Sequence, residues 1–420
     1  MYKIVAMNKV PKRIYLDYAA TTPVDPRVVK AMAPFWSVRY GNPGSLHGFG
    51  QLASGAVFKA RRTIGEAIGA SYREIIFTGS ATEANNLALR GAVKAFQKIQ
   101  KGVVPKIVVS AIEHESILET CADLKEEGVD IVVVPVSRTG IVNLRALAAA
   151  LDERTVVVSV MYANNEIGSI QPLSQIAAVI REFRVHGSTL YPLFHTDAAQ
   201  ALQYLDCRVI SHGAELMTLS GHKIYGPKGI GALYVQGGVR GQGRGFRKNP
   251  LNPNRYALNP ILTGGEQEEG LRSGTENVPL IAGFARAVEI AGEMRARESV
   301  RIARLRDRLK DGIIRLLPAA RVNGPEDFSR EKRLPNNLNI SFLRIQGEEL
   351  LVRLDLQGIA ASQGSACRAR GSTPSQVLRA IGLSETRREG AIRFTLGRGT
   401  SERDIDTTLQ IIKNIITHYV

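Results

Sequence analysis

The feature that most limits the fold is an alternation, from about residue 74 to residue 235, of short β-branched runs with helix-length segments. Glu74–Thr78, Lys106–Ser110, Asp130–Val136, Thr155–Ala163, Leu193–Thr196, Leu216–Leu219 and Gly231–Val235 read as strands. Ala81–Lys98, Glu115–Glu127, Asn143–Leu151 and Pro172–Val185 read as the helices between them. Alternation of this kind predicts an α/β domain with a mostly parallel central sheet, in which ligands sit beyond the carboxyl ends of the strands. The pattern stops after Val235. Gly237–Pro260 is rich in Gly, Arg, Asn and Pro without periodicity and reads as a loop. Pro279–Leu317 has apolar residues at helical spacing and arginines on its other face. The segments Asn337–Phe342, Leu350–Leu356, Ala391–Leu396 and Ser401–Thr417 mix strand and helix signals, so a smaller α+β domain is expected there.

Length and composition agree with this division. A chain of 420 residues suggests two or so domains, and 44% hydrophobic with 22% charged residues is ordinary for a globular protein. The longest apolar runs are strand-sized, so no membrane span is expected. The N-terminus lacks the apolar stretch of a secretory signal, which makes a cytoplasmic location the expectation. Three cysteines, Cys121, Cys207 and Cys367, provide neither a disulfide framework nor zinc-ligand spacing, and no metal site is expected. The net charge of +16 favours an acidic partner or an evenly basic surface. The basic residues form no single stripe, so direct nucleic-acid binding is not expected.

Four segments that follow strands could carry chemistry. Phe77-Thr78-Gly79-Ser80-Ala81-Thr82-Glu83 leaves a strand and opens a helix, where small residues and unbonded N–H groups suit a phosphate or form an ordinary cap. In His195-Thr196-Asp197-Ala198-Ala199-Gln200 an aspartate closes a strand, where it can bond a protonated ring nitrogen or cap a helix. Leu219-Ser220-Gly221-His222-Lys223-Ile224-Tyr225-Gly226-Pro227-Lys228 sets two lysines on a glycine-rich turn, an unusual place for a solvated lysine and a suitable one for a Schiff-base lysine. The fourth segment, Ala361–Pro374, is small and polar. It carries Cys367 between Ala366 and Arg368, with Arg370 close by, and these arginines favour the thiolate. Cys121 falls among apolar helical neighbours and reads as packing; Cys207 reads as structural.

These segments together resemble the cysteine desulfurases of the class V aminotransferase family, in the group related to the NifS and IscS enzymes. The resemblance runs from Tyr15-Leu16-Asp17-Tyr18-Ala19-Ala20-Thr21-Thr22-Pro23 through Tyr40-Gly41-Asn42-Pro43, Ala81-Thr82-Glu83, Glu113-His114 and Asn164-Asn165-Glu166-Ile167-Gly168. It continues through Asp197–Gln200, Ser220-Gly221-His222-Lys223 and Arg272-Ser273-Gly274-Thr275 to Gly364-Ser365-Ala366-Cys367 and Ile392-Arg393-Phe394. It implies the fold type I of pyridoxal-phosphate transferases. Residues 23–276 would form the large cofactor-binding domain, with an Arg/Gly-rich insertion at about 237–260. Residues 1–22 and 277–420 would form the small domain, with a mobile cysteine loop at about 360–375.

The resemblance also implies roles. Lys223, rather than Lys228, would hold pyridoxal 5'-phosphate, Asp197 would pair with its ring nitrogen, and His114 would stack on the ring. Gln200 and Asn165 would reach the phenolic oxygen, and Asn165 the substrate too. Ala81, Thr82, Ser220 and His222 would bind the phosphate, and Thr275 would reach the phosphate of a neighbouring subunit, which implies a homodimer. Arg393 would clamp the substrate carboxylate. L-cysteine would give L-alanine and a persulfide on Cys367, passed to an acceptor protein such as an iron–sulfur scaffold or a tRNA-thiolation protein. The alternatives are a selenocysteine lyase or another class V pyridoxal-phosphate enzyme and, from a different class, a nucleic-acid-binding protein on an inactive enzyme scaffold.

Overall fold

The computed structural model describes residues 13–187, 191–238, 258–329, 331–343, 345–364 and 375–417. Twelve strands run through these residues. In chain order they are β1 (Ile14–Tyr15), β2 (Ile75–Thr78), β3 (Lys106–Ser110), β4 (Asp130–Val134), β5 (Thr155–Ser159) and β6 (Leu193–Asp197). They continue with β7 (Leu216–Ser220), β8 (Gly231–Val235), β9 (Arg321–Val322), β10 (Asn337–Ser341), β11 (Ile359–Ala360) and β12 (Ala391–Thr395). The chain divides into two compact units. The larger comprises Thr21–Asn164 and Ser169–Ala296, and the smaller comprises Met1–Ala20, Asn165–Gly168 and Arg297–Val420.

The larger unit is built on a seven-stranded sheet of order β2-β8-β7-β6-β5-β3-β4. β7, β6, β5, β3 and β4 pair in parallel, whereas β8 runs antiparallel to both of its neighbours, β2 and β7. Six strands therefore share one direction, as the strand–helix alternation predicts. Residues of β2, β3, β5, β6, β7 and β8 are buried throughout, which explains why they read as continuous apolar runs instead of alternating ones. Helices Ala81–Ile99 and Glu115–Glu126 cover the sheet through Ala84, Leu87, Ala88, Ala92, Ile117, Cys121 and Leu124. Ala84, Ala88 and Ala92 let the first helix lie close to the strands. The run Thr155–Ala163 is buried over its whole length, but the ladder ends at Ser159. Hydrophobicity there reports burial and not strand pairing.

The smaller unit contains a three-stranded sheet of order β12-β10-β9 and the parallel pair β1-β11. β12 pairs antiparallel with β10, placing Arg393 opposite Asn339. The N-terminal segment joins β11 to β12: Leu16 N donates to Ala360 O (2.8 Å), Thr395 N to Leu16 O (2.7 Å) and Tyr18 N to Thr395 O (3.2 Å). Among the described residues no helix is long and apolar enough to cross a membrane.

Candidate active site

In the larger unit β6 delivers Asp197 at its carboxyl end, with 6% of its surface exposed. Its Oδ1 accepts from Ala199 N (2.9 Å) and its Oδ2 from Asn85 Nδ2 (2.8 Å). Asn85 stands one turn into helix Ala81–Ile99, fully buried, and the same amide donates to Ser116 Oγ (2.8 Å). Ser116 then meets His114, the N-cap of helix Glu115–Glu126. The Ser116 backbone N–H donates to His114 Nδ1 (3.1 Å) and its hydroxyl lies 2.9 Å from the same atom. Because the backbone can only donate, Nδ1 is an acceptor and a neutral ring carries its proton on Nε2. A continuous polar chain, Asp197–Asn85–Ser116–His114, thus links two strand ends through a buried helix face.

The turn after β2 converges on the same end of the sheet. Gly231 lies opposite both Thr78 and Ser220 in the ladders. A Cβ at Gly231 would stand 2.6 Å from the Ser80 carbonyl carbon and 2.8 Å from Ala81 N, so only glycine lets the Ser80–Ala81 turn rest there. Ser80 caps the helix by accepting from Glu83 N (3.1 Å). The amides of Ala81 and Thr82, in the first turn, have no acceptor within their own helix and sit at the positive end of its dipole.

The turn after β7 presents His222 and Lys223. His222 Nδ1 lies 3.1 Å from Thr21 Oγ1, and its carbonyl accepts from Thr22 N (3.1 Å) and Thr22 Oγ1 (2.9 Å). Burial first, and then the neighbouring cations Lys223 and Lys228, push the His222 pKa down to about 4, so the ring is neutral near pH 7. The turn closes on Tyr225, whose φ of 66° is a left-handed conformation rare for a bulky residue. Thr22 Oγ1 fixes it by accepting from Tyr225 N (2.8 Å).

Two further residues stand near this constellation. His195 is buried between Ser159 Oγ (2.9 Å) and Thr218 Oγ1 (3.1 Å), and burial lowers its pKa to about 4. Glu113 is buried with Oε1 accepting from Ser110 Oγ (2.5 Å) and Met161 N (2.8 Å), while among the described residues Oε2 meets no partner. Burial raises the Glu113 pKa to about 8, so the acid stays protonated near neutrality. Thr275 lines a cavity of about 180 Å³ together with Thr78, Gly79, Gly229, Arg272 and Gly274.

In the smaller unit Arg393 is buried, 1% exposed, on β12. Its Nη2 donates to Asp17 Oδ1 (2.8 Å) and its Nη1 to Asn165 O (3.2 Å), while Nε has no partner among the described residues. Glu166 Oε2 accepts from Ser375 Oγ (2.5 Å).

The chain matches the aminotransferase class-V family over residues 14–408. A curated relative, the cysteine desulfurase IscS of Dictyoglomus turgidum, is 40% identical over 405 residues, spanning 96% of this chain and 95% of its own. A solved NifS-like protein superposes with a TM-score of 0.84 at 34% identity, covering 97% of this chain and 100% of its own. SspA, solved in complex with cysteine, superposes with a TM-score of 0.72 at 32% identity, covering 91% of this chain and 98% of its own.

The chain belongs to the class-V aminotransferase family. Within it the chain groups with the NifS and IscS cysteine desulfurases. Of the residues singled out from the sequence of this family member, Ala81, Thr82, His114, Asp197, Gln200, Ser220, His222, Lys223 and Thr275 fall in the larger unit, and Asn165 and Arg393 in the smaller. Cys367, with Arg368, lies outside the described residues, as do residues 239–257 of the Arg/Gly-rich stretch. Cys121 and Cys207 are buried free thiols whose pKa values burial pushes up to about 12, in keeping with packing roles. The sequence reading missed Asn85 and Ser116, which link Asp197 to His114, and gave Glu113 no role. A polar residue inside an apolar helical stripe, as Asn85 is, was the available signal.

Proposed function

We propose that this chain is a pyridoxal-phosphate-dependent cysteine desulfurase, acting as a homodimer and yielding L-alanine and a protein persulfide on Cys367. The observation that carries the reading is the buried chain Asp197–Asn85–Ser116–His114, set beside the Ser220–Gly231–Ala81 turn and the lysine that follows it. These residues fit the cofactor. Asp197, held by two donors, offers a fixed carboxylate for a protonated ring nitrogen. The amides of Ala81 and Thr82, with Ser220 and neutral His222 as further hydrogen-bonding groups, suit its phosphate. Lys223 would carry it, His114 would lie on its ring, Gln200 and Asn165 would reach its phenolic oxygen, and Thr275 would serve the phosphate of the partner subunit. When bound, the cofactor supplies an electron sink for the substrate's α-carbon.

The chain's own groups supply the rest. Arg393 binds the substrate carboxylate, with Asn165 alongside. Lys223 would move the α-proton as a general base and acid. The thiolate of Cys367 attacks the substrate sulfur: an S–S bond forms and the C–S bond breaks. The electron pair of that bond stays with carbon, which takes a proton to become alanine. The persulfide then passes to an acceptor protein, such as an iron–sulfur scaffold or a tRNA-thiolation protein.

The purified protein should be yellow, and Lys223→Ala should abolish the colour. Cys367→Ser should still take up cofactor and cysteine but accumulate no persulfide. Normal desulfuration of L-cysteine by Cys367→Ser would remove Cys367 as the nucleophile.

A further inference from the structure

Arg393 poses an electrostatic problem that its neighbours solve in a specific way. A guanidinium that is 1% exposed loses nearly all its hydration, and a buried charge is tolerated only when paired and hydrogen-bonded. Its only ion-pair partner among the described residues is Asp17, at 2.8 Å, with 14% of the Asp17 side chain exposed. Asp17 is itself held rigidly. The residues on either side of it bond Thr395 on β12, and Leu16 also bonds Ala360 on β11, so its backbone is fixed between the two strands. Its second oxygen, Oδ2, accepts from Ser362 Oγ (2.8 Å). Ser362 in turn exchanges two backbone bonds with Arg393, N to O at 3.2 Å and O to N at 2.7 Å. Asp17, Ser362 and Arg393 therefore form a closed ring in which each member fixes the other two. Within this ring Asp17 takes only Nη2. Asn165 O takes one bond from Nη1, and Nε has no acceptor among the described residues.

We infer that Asp17 is the positioning residue for Arg393. It orients the guanidinium so that its remaining donors meet the carboxylate of L-cysteine; this rests on the desulfurase reading above. Asp17 touches neither substrate nor cofactor and acts through Arg393 alone.

The test compares L-cysteine with cysteamine, which has the same amine and thiol but no carboxylate. Both are titrated into the cofactor-loaded enzyme and followed by its visible absorbance. In the wild type L-cysteine binds more tightly, and Arg393→Ala abolishes that preference. In Asp17→Ala the preference should fall roughly tenfold to a hundredfold, as for a misaimed clamp, while cysteamine affinity holds. Asp17→Glu should recover part of it, and Asp17→Ala/Arg393→Ala should be no worse than Arg393→Ala. Asp17→Asn, isosteric and neutral, carries the same comparison whether or not Asp17→Ala folds. Equal weakening of both ligands, or an unchanged preference, would reduce Asp17 to a structural role and overturn the inference. If Arg393→Ala itself leaves the preference intact, the reading of Arg393 as the clamp falls as well, which separates the two failures.

Discussion

At the scale of single residues, burial sets protonation states that charge counting would miss. Glu113 keeps its proton near neutrality because burial, offset only partly by Ser110 and Met161, raises its pKa to about 8. In an unfolded chain the same carboxyl titrates near about 4.3. Below that pH both states are protonated. Between about 4.3 and about 8 the unfolded chain has released the proton and the folded chain has not, so stability falls as pH rises through this window. Glu113→Gln removes the effect. Its thermal midpoint should gain on the wild type from pH 5 to pH 8, by an amount on the order of a few kcal/mol in stability at the upper end. A pH-independent gap between the two proteins would refute a neutral Glu113. At this scale the sequence was half legible. Lys223 and Asp197 could be read because each sits in a short motif after a strand. Asn85 and Ser116 could not, because their partners are far away in the chain: Asn85 meets Asp197 across 112 positions. No local spacing encodes such a pair.

At the scale of elements, strand and helix assignments followed from periodicity, while loop chemistry did not. The sequence marks Glu266, Glu268 and Glu269 only as acids where relatives often show glycine and arginine, and gives them no structural role. In the structure Glu268, at φ 50°, is buried and grips Arg61 through both oxygens, at 2.5 Å and 2.7 Å. Its Oε2 also accepts from Phe77 N (2.9 Å). Through that one carboxylate a loop braces β2, the strand that leads into the Ser80–Ala81 turn. Removing one member of a largely buried pair strands the other charge, which typically costs about 3 kcal/mol or more. Glu268→Ala should therefore lower the denaturant midpoint without changing the slope of the transition. A midpoint equal to that of the wild type would show that Arg61 finds another acceptor. The smaller unit contains a similar surprise. Arg333 is fully buried and, among the described residues, bonds only carbonyls and an amide, from Asn323, Pro325 and Asn337, yet it packs with Arg306 and Lys310 on the Phe328 ring. Burial pulls its pKa down to about 9. Nothing in the surrounding sequence marks Arg333 as a core residue, because arginine ordinarily signals surface.

At the scale of the whole molecule, the candidate site residues are divided between two compact units, so the two ligands should leave separate footprints. The residues proposed to hold the cofactor lie in the larger unit, at Ala81–Thr82, His114, Asp197–Gln200 and Ser220–Lys223, with Asn165 of the smaller unit the exception. The residues proposed to take the substrate carboxylate, Arg393 and Asn165, lie in the smaller, with Asp17 behind Arg393. A ligand that binds the folded state stabilises it by about 2.7 kcal/mol at a hundredfold excess over its dissociation constant, and backbone opening is suppressed first in the segments whose side chains or amides hold the ligand. Pyridoxal phosphate added to the cofactor-free protein should therefore slow amide hydrogen exchange at residues 80–84 and 220–226, leaving residues 391–396 near their starting rates. L-cysteine added to the loaded Cys367→Ser protein should then slow exchange at residues 14–19 and 391–396, and Asp17→Ala should weaken only this second footprint. Protection at 80–84 that does not respond to the cofactor would remove the phosphate cradle. Protection at 391–396 that appears with the cofactor alone would mean that the cofactor's footprint is not confined to the larger unit.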